Sequence, residues 1–169
     1  MTDLPLLPAK IISGGQTGAD RAGLDAAIEL HVPHGGFCPK GRLAEDGHVP
    51  QHYLVVETTQ GTYPPRTRLN ISSSDATIIF TVGELDGGSK LTKDLASDLG
   101  KPWFHINLGF EQMADVERQI ELLRLWLAGL YLRLGMRPII NIAGNRESKS
   151  PGIERRVKEF LCKTFEGCT

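Results

Sequence analysis

The sequence predicts an α/β fold, a three-layer sandwich with a mostly parallel sheet and helices on both faces. Short β-branched apolar runs alternate along the chain with stretches at helical spacing, the pattern of parallel-sheet proteins. Three of the junctions from strand to helix carry glycine-bearing turns. One run, Asp75 to Val82 (DATIIFTV), is nearly continuous in apolar and β-branched residues, as a strand buried on both faces should be.

Taken in order, Lys10 to Ile12 reads as a short strand, and Thr17 to His31 as a helix with Leu24, Ala27, Ile28 and His31 at helical spacing. Val32 to Gln51 has no periodicity and is rich in Gly and Pro, so a loop of about 20 residues is expected, a length that is usually functional in a compact domain. Tyr53 to Glu57 (YLVVE) is a second strand, and Arg66 to Ser73 a short helix. After the DATIIFTV strand, Gly83 to Ser89 forms a turn and Lys90 to Leu99 a helix closed by Gly100 and Pro102. Trp103 to Asn107 is the next strand.

From Glu111 to Leu134 the apolar set Met113, Val116, Ile120, Leu123, Leu127, Leu130 and Leu134 keeps a 3-4 spacing, the strongest helix signal in the chain. A second stripe, Leu122, Leu125, Trp126 and Leu132, makes its later half apolar on more than one face. Such a helix needs two partners, the sheet and either a neighbouring helix or a second subunit. Arg137 to Ala143 is the last strand, Gly144 to Gly152 the third turn, and Ile153 to Phe165 a closing helix.

Composition narrows the function classes. The 169 residues are 40% hydrophobic and 23% charged, with 19 Lys+Arg against 20 Asp+Glu, so there is no global field to hold a polyanion and no nucleic-acid partner is expected. One domain over residues 1–169 is the default for this length. No apolar run approaches the roughly 18 to 20 residues of a membrane span, and MTDLPLLPAK is not a leader; a cytoplasmic protein without membrane contact is expected. Cys38, Cys162 and Cys168 form no CxxC pair, and His31, His34, His48, His52 and His105 no HExxH, so structural metal is not expected.

The chemistry concentrates in the three turns: Ser13-Gly14-Gly15-Gln16-Thr17-Gly18, Asp86-Gly87-Gly88-Ser89, and Gly144-Asn145-Arg146-Glu147-Ser148. In a parallel sheet each such turn lies at the carboxyl edge of its strand, where open α/β folds bind ligands, so the three can face one crevice. Glycine lets the backbone approach an oxygen closely, and the N–H groups opening the next helix favour an anion. Hydroxyls at Ser13, Thr17, Ser89, Thr92 and Ser148 add donors, and Arg146 can supply a bidentate charge. Together they form a phosphate-binding recipe.

The familiar phosphate signatures are missing. Without GxxxxGK[ST] no P-loop chemistry follows, and ISGGQTG lacks the G-x-G-x-x-G spacing of nicotinamide or flavin sites. Asp20 in the first turn of its helix suits the dipole; Arg21 opposes it, which suggests a role in pairing Asp20 or reaching a ligand. Lys40 and Arg42, between glycines, could fold over an anionic ligand or form a solvated basic loop. Cys38 is read as an inert thiol, Glu57 as a solvated carboxylate at a strand end. Glu45, Asp46, Glu84, Asp86 and Glu147 are acidic, but no spacing singles out a catalytic pair.

Four segments in order, ISGGQTGADRAGLDAA, HGGFCPKGRLAEDG, SDATIIF followed by GGSKLT, and NIAGNRESKSPGI, resemble the putative molybdenum carrier proteins. These are a circularly permuted, YpsA-like branch of the SLOG superfamily, related to the "lonely guy" phosphoribohydrolases and to DprA, and the likeness covers nearly the whole chain. The resemblance implies a Rossmann-like fold, a homo-oligomer such as a dimer or tetramer, and a pocket for a phosphorylated small molecule: the molybdenum cofactor (molybdopterin) or a nucleotide-like ligand. Carried over by motif, the ligand contacts are Gly14, Gly15, Gln16, Thr17, Gly18, Asp20, Arg21, Lys40, Gly87, Gly88, Ser89, Thr92 and Arg146, with no catalytic residue. Asn145 stands where the resemblance leads one to expect proline. The hydrolases' PGGxGTxxE segment has only Asp86-Gly87-Gly88-Ser89-Lys90-Leu91-Thr92 as its counterpart, which argues against the same hydrolysis. A cofactor-binding protein is therefore the leading expectation, with a nucleotide N-glycosidase and a nucleotide-sensing domain as alternatives.

Overall fold

The computed structural model describes residues 6–109 and 112–168. Its elements are β1 (Lys10–Ile12), α1 (Ala19–Glu29), β2 (His34–Gly35), β3 (Phe37–Cys38), a 3-10 turn (Lys40–Arg42), β4 (Leu43–Ala44), β5 (Gly47–His48), β6 (Val56–Glu57), α2 (Tyr63–Ser72), β7 (Ala76–Thr81), α3 (Gly87–Asp98), β8 (Trp103–Asn107), α4 (Met113–Leu134), β9 (Ile139–Gly144) and α5 (Ile153–Phe165). The expected α/β fold is present. Of the segment expected to be helical from Glu111, the helix runs from Met113, and Glu111 lies outside the described residues.

The central sheet has five strands in the order β2-β1-β9-β7-β8, and every pairing in it is parallel. Counted from β9, the order reads third, second, first, fourth, fifth, which is the strand order of the doubly wound dinucleotide-binding fold. The point where that order reverses falls between β9 and β7, where Ala76 to Phe80 pair with Ile140 to Gly144.

The two faces of the sheet differ. On one, Ile11, Ile78, Phe80, Ile106, Ile140 and Ile142 join Ala19, Ala22, Ala26 and Ala27 of α1, Ile120, Leu123, Leu127 and Leu130 of α4, and Ile153, Val157, Phe160 and Leu161 of α5 in one apolar core. The small α1 residues let that helix lie close on the sheet. The other face, under α2 and α3, is partly polar: Thr77, Thr81 and Asn141 are buried there, with the Asn141 side-chain amide donating to Thr77 Oγ1 at 3.2 Å.

Several local readings change, and the helix expected over Arg66 to Ser73 opens already at Tyr63, with Pro64 and Pro65 in its first turn, where a missing N–H costs nothing. The segment expected as a structureless loop contains the edge strand β2 and the hairpin β4–β5, with a small core of its own formed by Leu24, Cys38, Val49, Tyr53 and Val55. The Arg42 side chain holds it together by donating to the carbonyls of Val49, Pro50, Tyr53 and Val55 at 2.8–3.1 Å. The strand expected over Tyr53 to Glu57 shrinks to Val56–Glu57 and pairs with β3 outside the central sheet, because Tyr53 and Val55 turn into the loop core instead. Helix α3 opens at Gly87, earlier than expected, so its glycines occupy the first turn rather than a preceding loop. On α4, Trp126 of the second stripe packs against Phe104, whereas Leu122, Leu125 and Leu132 are exposed.

Candidate functional site

All three glycine turns contribute to one cavity of about 370 Å³ at the carboxyl edge of the sheet, over the β9–β7 seam. Gly14, Gln16 and Asp20 come from the first turn, Gly87, Gly88, Ser89 and Thr92 from the second, and Gly144, Asn145 and Arg146 from the third. Helix α2 closes the side with Tyr63, Arg66 and Asn70, and Leu91, Ile142 and Ala143 provide apolar wall. The remaining residues expected from sequence lie off this wall. Gly15, Thr17, Gly18 and Arg21 sit behind it, and Lys40 is exposed on the 3-10 turn, its N–H donating to Gln60 O at 3.0 Å.

Most donors of the first turn serve the fold. Ser13 Oγ donates to Asp20 O at 2.8 Å, and the N–H of Gly18 donates to Glu154 Oε2 at 2.9 Å. Gly18 has φ 83°, and a Cβ there would collide with the Asn145 carbonyl and with the Arg146 backbone at 2.8 Å, so glycine is required where the first and third turns touch. At Gly14, the space a Cβ would take is filled by the Arg66 guanidinium.

Arg66 forms a shielded pair with Asp20, Nη1 to Oδ2 at 2.6 Å, with 13% and 7% of the two side chains exposed. Arg21 therefore does not pair with Asp20. It meets Asp46 through both guanidinium nitrogens at 2.5 and 2.7 Å, and that hydrogen bond holds its pKa above, and that of Asp46 below, their ordinary values. Arg66 is a site residue that the sequence does not reveal. Nothing local in YPPRTRLN marks it, because its partner lies on another helix.

The second turn keeps free donors. Ser89 Oγ is engaged with the Asp86 backbone, donating to its carbonyl at 2.7 Å and accepting its N–H at 3.1 Å, and Thr92 Oγ1 donates to Gly88 O at 2.9 Å. The N–H groups of Gly87 and Gly88 have no protein acceptor among the described residues, and both glycines line the cavity. Lys149 and Arg146 stand on the same wall; Lys149 pairs with Asp86, tying the third turn to the second.

In the third turn, Asn145 is 3% exposed. Its N–H donates to Phe80 O at 2.9 Å, a bond proline could not make, which accounts for the absence of proline at this position. One end of its side-chain amide bonds Ser150 Oγ at 2.9 Å; the other, Oδ1, is buried with no partner, as is Arg66 Nε. Unpaired buried polar atoms are costly in a fold, and these two lie within the cavity wall, closed off from the cavity itself.

The acidic residues find specific partners that no spacing foretold. Glu45 and Asp46 form the two-residue tip of the β4–β5 hairpin. Glu45 accepts from Thr17 Oγ1, from the Ser148 N–H at 3.1 Å and from Ser148 Oγ at 2.5 Å, and lies 3.3 Å from Arg146 Nε. Burial raises its pKa, but the hydrogen bonds from Ser148 and Thr17 and the charge of Arg146 outweigh that and hold it below the ordinary range. Glu147 caps α5 by accepting from the N–H groups of Gly152 and Glu154. Cys38 is fully buried, and desolvation pushes its thiol up, in keeping with an unreactive side chain. No group of three or more His, Cys, Asp or Glu among the described residues is arranged to hold a metal ion, and no helix among them is long and apolar enough to cross a membrane.

Residues 11–165 match the model of the circularly permutated YpsA SLOG family, in agreement with a strand order that becomes regular when counted from β9. Among solved structures, the chain is similar to that of a "Putative molybdenum carrier protein" from Syntrophus aciditrophicus, with 43% identity, a TM-score of 0.83, and coverage of 94% of this chain and 96% of that one. No curated protein matches.

Proposed function

The chain belongs to the circularly permutated YpsA SLOG family, and from that premise we propose that it is a binding protein for a phosphorylated heterocyclic cofactor, molybdopterin being the first candidate. The observation that carries this reading is the cavity wall itself. Two free N–H groups at the start of α3, with Arg146 and Lys149 beside them, suit a phosphate, while the amides of Gln16, Asn141 and Asn145 and the apolar Leu91 and Ala143 suit a flat ring with polar edges. The volume lies in the range of small-molecule pockets. A molybdenum atom would arrive already bound by its pterin, as cargo. The residues of this chain would then hold the phosphate through Gly87, Gly88, Lys149 and Arg146 and the ring through the amides.

The test is native mass spectrometry of freshly purified protein, with metal analysis and titration with molybdopterin. Retention of a pterin phosphate is expected; absence of both pterin and molybdenum, with no binding on addition, would sink the carrier reading. Arg146→Ala is expected to weaken phosphate binding by roughly ten- to hundredfold, the 1.5–3 kcal/mol typical of a charged hydrogen bond. A second reading, cleavage of an N-glycosidic bond, is favoured by one feature, the Asp20 carboxylate on the cavity wall. Incubation with nucleoside monophosphates would release free base if it holds.

A further inference from the structure

The Glu45 carboxylate receives what an oxyanion ligand would receive. One backbone N–H, two hydroxyls and a guanidinium converge on it, from Ser148, Thr17 and Arg146, and they come from two different glycine turns. As a latch for the hairpin, this carboxylate is redundant. The Glu45 N–H already donates to Gln16 Oε1 at 2.9 Å, and Asp46 next to it is bidentate on Arg21. The backbone of the tip would stay moored if the Glu45 side chain left. Two of the three donor residues are reachable, Ser148 being exposed and 56% of the Arg146 side chain facing solvent, while Thr17 is buried behind the carboxylate. Arg146 is shared with the cavity wall, so the nest adjoins the proposed ligand site.

We propose that Thr17 Oγ1, the N–H and Oγ of Ser148, and Arg146 form a second oxyanion subsite, which Glu45 fills as a built-in stand-in and from which a phosphate group displaces it. The exchange is a swing of one side chain. It sets a threshold: a ligand anion binds here only by outcompeting an internal carboxylate, which favours the more highly charged phosphate over a carboxylate. The inference rests on reading the cavity as an anion site and adds a competitor to it.

Inorganic phosphate is titrated calorimetrically into the wild-type chain, Glu45→Gln and Glu45→Gln/Ser148→Ala, with folding checked by circular dichroism. Glu45→Gln should bind phosphate several-fold more tightly than wild type, and adding Ser148→Ala should remove most of that gain. Wild-type binding that Glu45→Gln leaves unimproved or weakens overturns this inference and leaves the cavity reading standing. Absence of phosphate binding in all three overturns both. Should Glu45→Gln fail to fold, the carboxylate carbon signal of Glu45 in the wild-type NMR spectrum decides: it shifts on adding phosphate if the side chain is displaced and stays still if it is not.

Discussion

The two faces of the central sheet differ: one is a continuous apolar core, the other is partly polar and carries the cavity. Along β7, Ile78 and Phe80 point to the side of α1, α4 and α5, where the core is continuous and apolar, while Thr77 and Thr81 point to the side of α2 and α3. The latter face carries buried amides, an Arg–Asp pair, two orphaned polar atoms and the cavity. Polar groups buried without full satisfaction cost stability, so a chain that keeps them on one face must recover that cost on the other. The cavity thus lies on the side that contributes least to holding the fold.

If the division is real, substitutions on the two faces should separate in their effects. The largest is Phe160→Ala, which empties a site packed edge-on against Phe80 at 5.5 Å; unfolding stability should fall by about 3–5 kcal/mol with ligand affinity per folded molecule unchanged. Chemical denaturation alongside a binding titration checks both halves. Arg66→Ala should cost about 3 kcal/mol by leaving Asp20 buried and unpaired, and should also lower phosphate affinity, so it breaks the comparison only if affinity survives. Thr77→Val removes one acceptor from Asn141 and should cost about 1 kcal/mol, a value that sharpens the contrast with Phe160 on the opposite face.

The smallest effect is one of pH. Glu45 and Asp46 are held below their ordinary values of 4.5 and 3.8 by groups that bind their charged forms. A depressed carboxyl pKa stabilises above the unfolded value and loses that contribution as pH falls through the folded one. Hydrogen-exchange protection factors in the β4–β5 hairpin, taken relative to the intrinsic rate at each pH, should therefore be constant from neutral pH down to about 4.5 and fall below it, with little change in the core.

Strands such as Trp103–Asn107 and helices such as Ile153–Phe165 were legible because their apolar periodicity is local and strong. The convergence of three turns was legible too, because a parallel sheet puts every strand's carboxyl end on one edge. What was hidden depends on partners far apart in sequence. Two-residue strands such as Phe37–Cys38 have no period to read; Arg66 is meaningful only beside Asp20; Glu45 and Asp46 look like solvated surface until the hairpin swings them against Thr17, Ser148 and Arg21. The position of β9 was equally invisible, since strand order in a sheet leaves no trace in the order of the chain.

That position has a consequence for how the molecule is made. The strand in the middle of the sheet is the last one synthesised, and until it emerges β1 and β7 have no neighbour in common, because each pairs with β9 and not with the other. Pairings so distant in sequence form slowly. A nascent chain released short of β9 would carry two separate half-sheets and only two of the three turns. Completion of the sheet and assembly of the cavity are then one event.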